Sequence, residues 1–540
     1  MTHRLSGKLA VLLTITLLLV ALIPWIAIQW NRSVNGNVAW LSLCAERWLA
    51  GSLLSEGCYD TNPPMSVLLY TPPVIFHSAT GMEIYFAIYA LTLALIVFST
   101  SAIWITLKGD HTLVLAEKML WTGAYLLAVT VLSSISFADK DHIIAIGLPP
   151  LLLLQRAITN AQPVPALTKY PALLFGSICL LVKPHYAIIP VALLLQRLIK
   201  QRKMTVIFNS DTLIMTGAVL AYTAALLLWF QDFLQVMLPD IIRYYLPYNN
   251  PVKTWADIKP LTAMTGLSLL GGYIVTIGDK EKQNLLLTFN LAALGCLMVY
   301  AIQMKGLSYQ LLPFYAFLVP SLALSVHAVL NFFLKSDNLA TSLMIVLCIA
   351  GIYFRAPLRA NYPSHEDYRN ASLTKYLKEN CEKPCSYLVT HENMEIVSQT
   401  AFYAGGTYAT RFPGFWYIAM LEGTPFPGPA KERRNIESGL TRENRMRFAG
   451  YTAQDLERFA PNVMLILTSP AEGSDSPAFD YFDYFSQNPE FQKQAEKYEK
   501  IGIFKTDRAF YFRDTRYDYE HILTWDVYKR KTETQSGPNE

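Results

Sequence analysis

Long apolar segments follow one another through the first two thirds of this 540-residue chain, and short polar loops separate them. A helix needs about 20 apolar residues to cross the hydrocarbon core of a bilayer, and its backbone polar groups must all bond within the segment. The chain is also 52% hydrophobic and only 16% charged, which excludes an ordinary soluble protein of this length. The sequence therefore predicts a mainly α protein, built around a polytopic membrane bundle of about 11 spanning helices.

The positions of Lys and Arg predict how these helices cross the membrane. Basic residues concentrate in alternate loops, and short cytoplasmic loops hold the positive excess in membrane proteins. With those loops inside, the N-terminus is cytoplasmic and everything after Tyr353 lies outside. The predicted spans are Leu9–Trp30, Met82–Leu107, Leu115–Leu132, Ile143–Ile158, Tyr170–Leu181, Tyr186–Ile199, Leu213–Phe230, Leu261–Ile277, Leu285–Ile302, Leu311–Phe333 and Leu339–Tyr353.

Residues 355–540 have the charge-rich composition of a globular region. Strand-like runs at Ser386–Thr390, Val463–Thr468 and Ala509–Arg513 alternate with polar helical stretches such as Phe491–Lys500. This alternation predicts a C-terminal soluble α/β domain on the outer side of the membrane.

The loop between the first two spans, residues 31–73, is too long to be a simple connection. We place it in a membrane module over residues 1–354, which the α/β domain at 355–540 follows. From Asn37 to Ala50 the loop carries apolar side chains at helical spacing, which predicts a helix lying along the outer membrane surface.

Asp60 follows this predicted loop helix and comes just before a double proline, Pro63 and Pro64. Proline cannot continue a helix, and it also restricts the residue before it, so the carboxylate is expected on a stiff turn. One interpretation is a catalytic carboxylate. The alternative is an ordinary Asx-type turn.

A second polar stretch, Ser136–His142, lies immediately before an apolar span on the predicted outer face. Four ionisable residues in a row beside a membrane segment favour a function over packing, although a solvated loop is the alternative. Asp139, Asp141 and His142 offer a base or ligands for a divalent cation such as Mg²⁺ or Mn²⁺. Their spacing is specific for neither metal.

Three further outer-face elements combine a cation with aromatic rings. Lys183 lies between two apolar half-segments, where an unpaired ammonium is costly, so we expect an anionic partner such as a phosphate at the membrane surface. Lys305 has an equally good alternative, in which its ammonium extends to lipid head groups. The elements are Lys183-Pro-His-Tyr186, Arg243-Tyr-Tyr-Leu-Pro247 and Gln303–Gln310.

Four cysteines fall on the predicted outer side, an even number in a compartment that permits disulfides. A bridge from Cys44 to Cys58 would close the opening loop on itself. Cys381 and Cys385 flank a tight turn, and we expect a second bridge there.

Together these elements resemble the GT-C class of integral-membrane glycosyltransferases, which take sugars from polyprenyl-phosphate carriers; protein O-mannosyltransferases and lipid A aminoarabinose transferases are relatives. Bacterial members have a Trp-Leu-x3-Ala-Glu-Arg-x-Leu-x-Gly stretch, an acid before Asn-Pro-Pro, a Phe-Gly-Gln-Arg-Glu-His box, a Lys-Pro box and a Gln-x-Lys-Gly-x2-Tyr-His box. The order and common sidedness of the boxes make the likeness specific, and it covers most of the chain. The corresponding stretches here are Trp40–Gly51, Asp60–Pro64, Phe137–His142, Lys183-Pro184 and Gln303–Gln310.

The chain also departs from this pattern. Asn37 stands where the wider class has an aspartate taken as the base that activates the acceptor, and an amide cannot accept a proton. Asp139 replaces the usual Gln, and Gln310 replaces the usual His. The base is therefore expected among Asp60, Asp139 and Asp141, and we favour Asp60.

The resemblance implies a hexosyl or pentosyl transferase of the bacterial inner membrane. It would move a sugar, with inversion, from a polyprenyl-phosphate donor to a hydroxyl of a cell-envelope glycan, lipid, lipopolysaccharide or protein, with membrane lipids but no nucleic acid as partners. No cofactor is certain. A transporter or flippase of lipid-linked sugars and a catalytically silent lipid-binding homologue remain alternatives. The residues expected to bind substrate are Asn37, Glu46, Asn62, His142, Lys183, His185, Arg243, Tyr245, Lys305 and Tyr309.

Overall fold

The structure, a computed structural model, is mostly helical with one small sheet. The predicted strand at Ala509–Arg513, the start of the first predicted span and the end of the last fall largely outside the described part of the chain. The structure describes residues 18–19, 21–111, 113–247, 249–276, 279–336, 339–340, 342–344, 346–347, 362–415, 417–418, 442–468, 480–506, 513–514, 517–518 and 523–531.

Helices account for most of the described residues, and we number them in chain order. Two π-helical turns, Phe233–Met237 and Ile241–Tyr245, flank α12. The helices are α1 (residues 21–31), α2 (Gly36–Leu49), α3 (Leu54–Gly57), α4 (Met65–Leu68), α5 (Thr71–Thr80), α6 (Ile84–Lys108), α7 (Leu115–Val129), α8 (Lys140–Thr159), α9 (Ala166–Val182), α10 (Ile188–Gln201), α11 (Ser210–Trp229), α12 (Leu238–Asp240), α13 (Pro251–Val275), α14 (Lys280–Gln303), α15 (Leu312–Leu334), α16 (His365–Asn370), α17 (Ser372–Asn380), α18 (Met394–Ala404), α19 (Arg442–Phe459), α20 (Tyr481–Ser486) and α21 (Pro489–Ala495).

The chain forms two compact units that interleave in sequence. The predicted boundary at residue 354 differs from this division, because the first half of the outer loop belongs with the C-terminal residues. Hydrogen bonds from Arg47 of this loop explain the difference. The Arg47 guanidinium donates to the backbone carbonyls of Tyr408 and Thr410, which belong to the C-terminal part of the second unit. The first unit comprises Met1–Asn31, Asn62–Gln231 and Asn249–Ala360, and the second comprises Arg32–Thr61, Asp232–Tyr248 and Asn361–Glu540.

The first unit contains helices suited to a bilayer. Among the described residues, five helices are long and apolar enough to cross a membrane: α6, α8, α11, α14 and the stretch Ser308–Leu334. α9 is apolar but shorter. The structure therefore supports an integral membrane protein, while the count of about 11 spans stays a prediction.

The basic loops that we predict to be cytoplasmic meet at one end of the first unit. Arg156, near the end of α8, bonds to Asp110 in the loop after α6. Lys282, at the start of α14, lies 2.7 Å from a carboxylate oxygen of Glu117 at the start of α7. These pairs place alternate loops together, as the charge pattern requires. The side of the membrane they face remains a prediction.

The second unit contains a five-stranded sheet in the order β2-β1-β3-β7-β4. β1 runs parallel to β2 and β3, whereas β7 is antiparallel to β3 and β4. Two of the predicted strands, at 386 and 463, are present as β1 and β3. The strands are β1 (Ser386–Val389), β2 (Thr407–Tyr408), β3 (Val463–Leu467), β4 (Tyr498–Lys505), β5 (Arg513–Asp514), β6 (Tyr517–Asp518) and β7 (Thr524–Arg530).

One prediction in this region is partly wrong. The helix predicted over Phe491–Lys500 begins at Pro489 but ends at Ala495, and β4 starts at Tyr498. β4 lies at the edge of the sheet, and most of its side chains are exposed. An edge strand with so many charged and exposed residues lacks the alternation of buried and exposed positions that identifies a strand.

Candidate functional site

The polar stretch before α8 forms a tight turn that ends in a helix cap. Ala138 has a φ of 65°, and Asp139 is the N-cap of α8. The Asp139 carboxylate accepts a hydrogen bond of 3.1 Å from the backbone N–H of Asp141. Aspartate is one of the preferred N-cap residues because it satisfies donors that the first helical turn leaves free. Asp139 therefore has a structural role in this stretch as the N-cap of α8.

His142 supports the same turn. Its Nδ1 accepts a 3.0 Å hydrogen bond from the Ala138 N–H, so Nε2 carries the proton and donates to the Val129 carbonyl at 2.5 Å. Both ring nitrogens are thus engaged by backbone groups. This arrangement differs from the predicted role of His142 as a substrate or metal ligand, because a ligand needs a free ring nitrogen.

Asp141 and Lys183 form a buried ion pair. α9 ends at Val182, and the Lys183 ammonium that follows lies 2.8 Å from each carboxylate oxygen of Asp141. The Lys183 side chain is 5% exposed, and the Asp141 side chain is 0% exposed. Burial lowers the pKa of Lys183, and the negative charge of Asp141 opposes that shift. The anionic partner expected for Lys183 is therefore supplied, in this structure, by Asp141 of the same chain.

The ring of Tyr309 lies beside two cations. The Nζ atoms of Lys140 and Lys183 are 5.5 Å and 5.9 Å from its centroid. Lys140 is buried, and its Nζ is 3.9 Å from an oxygen of Asp139. An aromatic face attracts an ammonium group within about 6 Å, so the ring helps to stabilise both charges. Lys140 is not among the predicted site residues, although it lies within the polar stretch Ser136–His142.

The loop from Gln303 to Gln310 supplies Tyr309 and a further lysine. Lys305 is 7% exposed, and burial lowers its pKa to about 8. The Gln310 amide donates to the Gln303 carbonyl oxygen at 3.0 Å, while the Tyr186 hydroxyl donates to the Gln310 backbone carbonyl at 3.3 Å. The loop is therefore held in place by side chains from α14 and from the Lys-Pro box.

These contacts bring three sequence motifs together within the first unit. We call the residues Asp139, Lys140, Asp141, Lys183 and Tyr309 the polar cluster. It holds two carboxylates and two ammonium groups, each almost or completely buried, beside one aromatic ring. Buried charges are costly unless they are paired, so this concentration at the end of an apolar helix makes the polar cluster the candidate site.

The predicted divalent cation finds no ready-made site here. Among the described residues, no group of three or more His, Cys, Asp or Glu side chains is arranged to hold a metal ion. Both oxygens of Asp141 bond to Lys183, and both nitrogens of His142 bond to backbone groups. Two of the three predicted ligands are therefore engaged by other groups in this arrangement, and we derive no step that uses a metal.

In the second unit, α2 begins at an Asn35 cap, and Asn37 lies half-buried in its first turn. The N–H of Gly36, the residue before Asn37, donates to a carboxylate oxygen of Glu395 at 2.7 Å. This acid comes from a part of the chain that is distant in sequence. Glu46 is half-buried, and its neighbour Arg47 donates to the Gly57 carbonyl at 2.7 Å. The Ala-Glu-Arg motif thus fixes the loop through Arg47.

Asp60 follows a disulfide. Cys44 is bonded to Cys58, and Cys381 is bonded to Cys385, which are the two pairings that the sequence favours. The Asp60 N–H donates to the Cys58 carbonyl at 3.0 Å, and its side chain is 7% exposed. The acid is therefore held on a short, constrained stretch of backbone.

The other predicted substrate contacts are less enclosed. Arg243 is exposed in the second π-helical turn, where its guanidinium lies over the Tyr244 ring, and Tyr245 is half-buried. In the first unit, His185 is exposed and Asn62 is half-buried. None of these four residues belongs to the polar cluster.

Comparison with known proteins found no matching family model and no matching curated protein. Solved structures did match. The crystal structure of ArnT from Cupriavidus metallidurans in the apo state has a TM-score of 0.52 and 11% identity, over 95% of this chain and 97% of that one.

Two further solved structures match with lower TM-scores. ArnT from Cupriavidus metallidurans bound to undecaprenyl phosphate has a TM-score of 0.45 and 11% identity, over 75% of this chain and 87% of that one. The Archaeoglobus fulgidus oligosaccharyltransferase in complex with Zn and sulfate has a TM-score of 0.46 and 12% identity, over 91% of this chain and 71% of that one. The match to apo ArnT shows that this chain shares the fold of that protein, as the resemblance of the sequence motifs implies.

Proposed function

We propose that the protein is a membrane glycosyltransferase that takes a sugar from a polyprenyl-phosphate donor. The observation that carries this proposal is the polar cluster, in which Lys140 and Lys183 lie beside Tyr309 at the outer end of α8 as the topology predicts. Two buried ammonium groups suit a phosphate that must lose its bond to a sugar within a partly desolvated site. The GT-C fold and the order of the motifs point to the same donor class.

The chemistry needs little more than these groups. The bond between the anomeric carbon and the phosphate oxygen breaks, and the acceptor oxygen forms a bond to that carbon from the opposite face. The departing polyprenyl phosphate carries negative charge, which the lysine ammonium groups stabilise. Lys183 would then be shared between the phosphate and Asp141. A phosphate leaves without strong acid assistance, so one base for the acceptor hydroxyl completes the reaction.

We assign the role of base to Asp60 on chemical grounds. Asp60 follows the Cys44–Cys58 bridge, and its N–H donates to the Cys58 carbonyl at 3.0 Å, so its backbone is positioned at little entropic cost. Asn37 cannot accept a proton. A carboxylate within reach of the acceptor hydroxyl contributes roughly 10²–10⁴-fold to such a transfer.

The sugar would be a hexose or pentose, and the acceptor a hydroxyl of a cell-envelope glycan, lipid or protein. The enzyme would work at the outer face of a bacterial inner membrane, with residues 355–540 in the periplasm. A catalytically silent homologue that only binds the lipid is the second candidate. The observation that favours it is Asn37 at the position of the family's base.

The test is a transfer assay with the full chain reconstituted in liposomes. A panel of undecaprenyl-phosphate-linked hexoses and pentoses is supplied with an envelope extract, and released undecaprenyl phosphate is measured. The envelope of cells with and without the gene is compared by mass analysis. We expect release with at least one donor and a matching mass change, both lost in Lys183→Ala. Lys282→Ala is the matched control, because it breaks an ion pair with Glu117 at the opposite end of the same unit.

Each outcome decides between the candidates. Binding of undecaprenyl phosphate without release, together with an unchanged envelope, would establish the silent homologue. Movement of intact lipid-linked sugar across the liposome membrane would instead establish a transporter.

A further inference from the structure

Tyr59, which immediately precedes Asp60, is held by a carboxylate from a distant segment. Its hydroxyl donates to one oxygen of Asp240, and the other oxygen of Asp240 lies 3.1 Å from a guanidinium nitrogen of Arg447. The side chains of Tyr59 and Asp240 are each 3% exposed. Tyr59 of the outer loop, Asp240 of α12 and Arg447 of α19 thus form one chain of charge-assisted hydrogen bonds in the second unit.

The rest of Tyr59 is fixed as firmly as its hydroxyl. Its N–H donates to the Arg411 carbonyl at 2.6 Å. Its ring packs against Phe412 and Tyr451, with centroids 5.2 Å and 5.7 Å away. The backbone, ring and hydroxyl of Tyr59 are therefore held by the stretch at Arg411–Phe412, by α19 and by α12. These contacts restrict both the backbone and the side chain of this residue.

Asp240 lies between the two π-helical turns, a rare form of helix that occurs often at functional sites. The same segment is tied to the loop a second time, because the Ser55 N–H donates to Asp232 at 2.8 Å. Burial raises the pKa of Asp240, and the Tyr59 hydroxyl and Arg447 oppose that rise. A carboxylate is expensive to bury, so its presence here calls for an explanation beyond packing.

Consecutive Cα atoms are about 3.8 Å apart across a trans peptide, so whatever fixes Tyr59 also fixes the backbone of Asp60. The Cys44–Cys58 bridge constrains the same stretch from its other side. We infer that Asp240 and Arg447 act through Tyr59 as positioning residues that hold the Asp60 carboxylate for proton removal. This inference rests on the proposed function, in which Asp60 is the base.

The test uses three variants of the full chain: Tyr59→Phe, Asp240→Asn and both together. We expect each single change to lower kcat about 10-fold or more, since misplacement by 1 Å costs on the order of 10²-fold, while the KM for the donor changes little. The double variant should be no slower than the worse single variant, because both changes remove the same charge-assisted bond between the Tyr59 hydroxyl and the Asp240 carboxylate.

The matched control is Tyr481→Phe. The Tyr481 hydroxyl donates to Glu392 at 2.7 Å and is also buried in the second unit, but it belongs to α20 and does not contact the Tyr59–Asp240 bond. If loss of a buried tyrosine hydroxyl merely loosened the unit, this variant would lower kcat equally. An unchanged kcat in Tyr59→Phe, or effects that multiply in the double variant, would also overturn the inference.

A readout besides activity separates this inference from the proposed function. Hydrogen exchange of the segment 55–61, measured by mass spectrometry on protein in detergent, should speed up several-fold in Tyr59→Phe and Asp240→Asn but not in Tyr481→Phe. If the wild type transfers no sugar, the proposed function fails, and the exchange rates still decide whether Asp240 fixes this segment. Unchanged exchange would overturn the inference whatever the activity.

Discussion

The Lys183 ammonium lies 2.8 Å from both carboxylate oxygens of Asp141, and neither side chain has appreciable contact with solvent. The pair joins the end of α9 to the first turn of α8. A charge in such a place is stable only while its partner is present, because an unpaired buried ion loses its hydration without compensation. Lys183 therefore serves two purposes in our proposal: it neutralises Asp141, and it attracts the donor phosphate.

Replacing Lys183 and Asp141 one at a time and then together should separate the role of Lys183 in stability from its role in donor binding. Lys183→Ala and Asp141→Asn should each destabilise the protein by about 3–5 kcal/mol, because one buried partner is left alone. The joint change to Lys183→Met with Asp141→Leu should recover most of that stability but no transfer activity. Thermal unfolding in detergent measures the first effect, and donor release measures the second.

The control for this pair is Lys253→Met. Lys253 bonds to Asp257 at 2.8 Å in the same unit, but both side chains are more than a quarter exposed. An exposed pair contributes at most about 1 kcal/mol, so this variant should unfold almost as the wild type does. Recovery of activity in the joint variant would contradict a role for Lys183 in donor binding.

The two disulfides should contribute unequally to stability. Loss of the Cys44–Cys58 bridge, which closes 14 positions, should cost about 3 kcal/mol, and loss of the Cys381–Cys385 bridge about 2 kcal/mol, since a longer loop gains more freedom in the unfolded chain. Double Cys→Ala variants at each bridge and thermal unfolding measure this. Mass analysis that finds free thiols at these four positions would refute both bridges.

Donor affinity should depend on pH through Lys305. Burial lowers its pKa to about 8, so its ammonium is present below that pH and is lost above it. If the ammonium attracts the donor phosphate, the KM for the donor should rise roughly 10-fold between pH 7 and pH 9. Lys305→Arg keeps its charge throughout and should abolish this rise. A KM that rises equally in the arginine variant would assign the dependence to another group.

The long helices could be predicted because each is a continuous apolar segment, and these segments are longer than an ordinary β-strand. Sequence reasoning also found most of the polar cluster, because ionisable residues beside an apolar span are conspicuous. It did not pair Lys183 with Asp141, since the two residues are 42 positions apart and only helix packing brings them together. The expectation of a phosphate at Lys183 stays a prediction, while the anionic partner that the structure gives this ammonium is Asp141.

Two other features could not be read from the sequence. Asp240 is a single acid in an apolar stretch, and its partner Tyr59 lies 181 positions away. The division of the outer loop between the two units depends on hydrogen bonds from Arg47 to Thr410 and its neighbours, which no local pattern encodes. Both features rest on contacts between segments distant in sequence, for which residue spacing gives no signal.

The membrane topology can be tested directly. Reporters fused after Lys203 and Lys282 should be cytoplasmic, and a reporter fused after Tyr353 should be periplasmic, because short basic loops stay inside. Contacts such as that of Lys282 with Glu117 place the basic loops at one end of the first unit, so these loops should share one side. A cytoplasmic reporter after Tyr353 would contradict the proposed periplasmic site of action.

The last prediction concerns the base. Asp60→Asn should lower kcat by roughly 10²–10⁴-fold, because an amide cannot take the proton of the acceptor hydroxyl in the transition state. Binding of undecaprenyl phosphate should remain nearly unchanged, since the ground state does not require that proton transfer. Single-turnover release of the lipid phosphate measures the chemical step, and titration with undecaprenyl phosphate measures binding.

Glu56→Gln is the matched control for Asp60→Asn, because Glu56 belongs to the same loop and pairs with Arg458 at the surface. It should keep nearly full activity, as exposed ion pairs contribute little. A loss of lipid binding in Asp60→Asn with unchanged single-turnover chemistry would move the role of base to Asp139 or Asp141. In that case Asp139→Asn or Asp141→Asn, with Lys183 in place, should instead stop single-turnover release of the lipid phosphate.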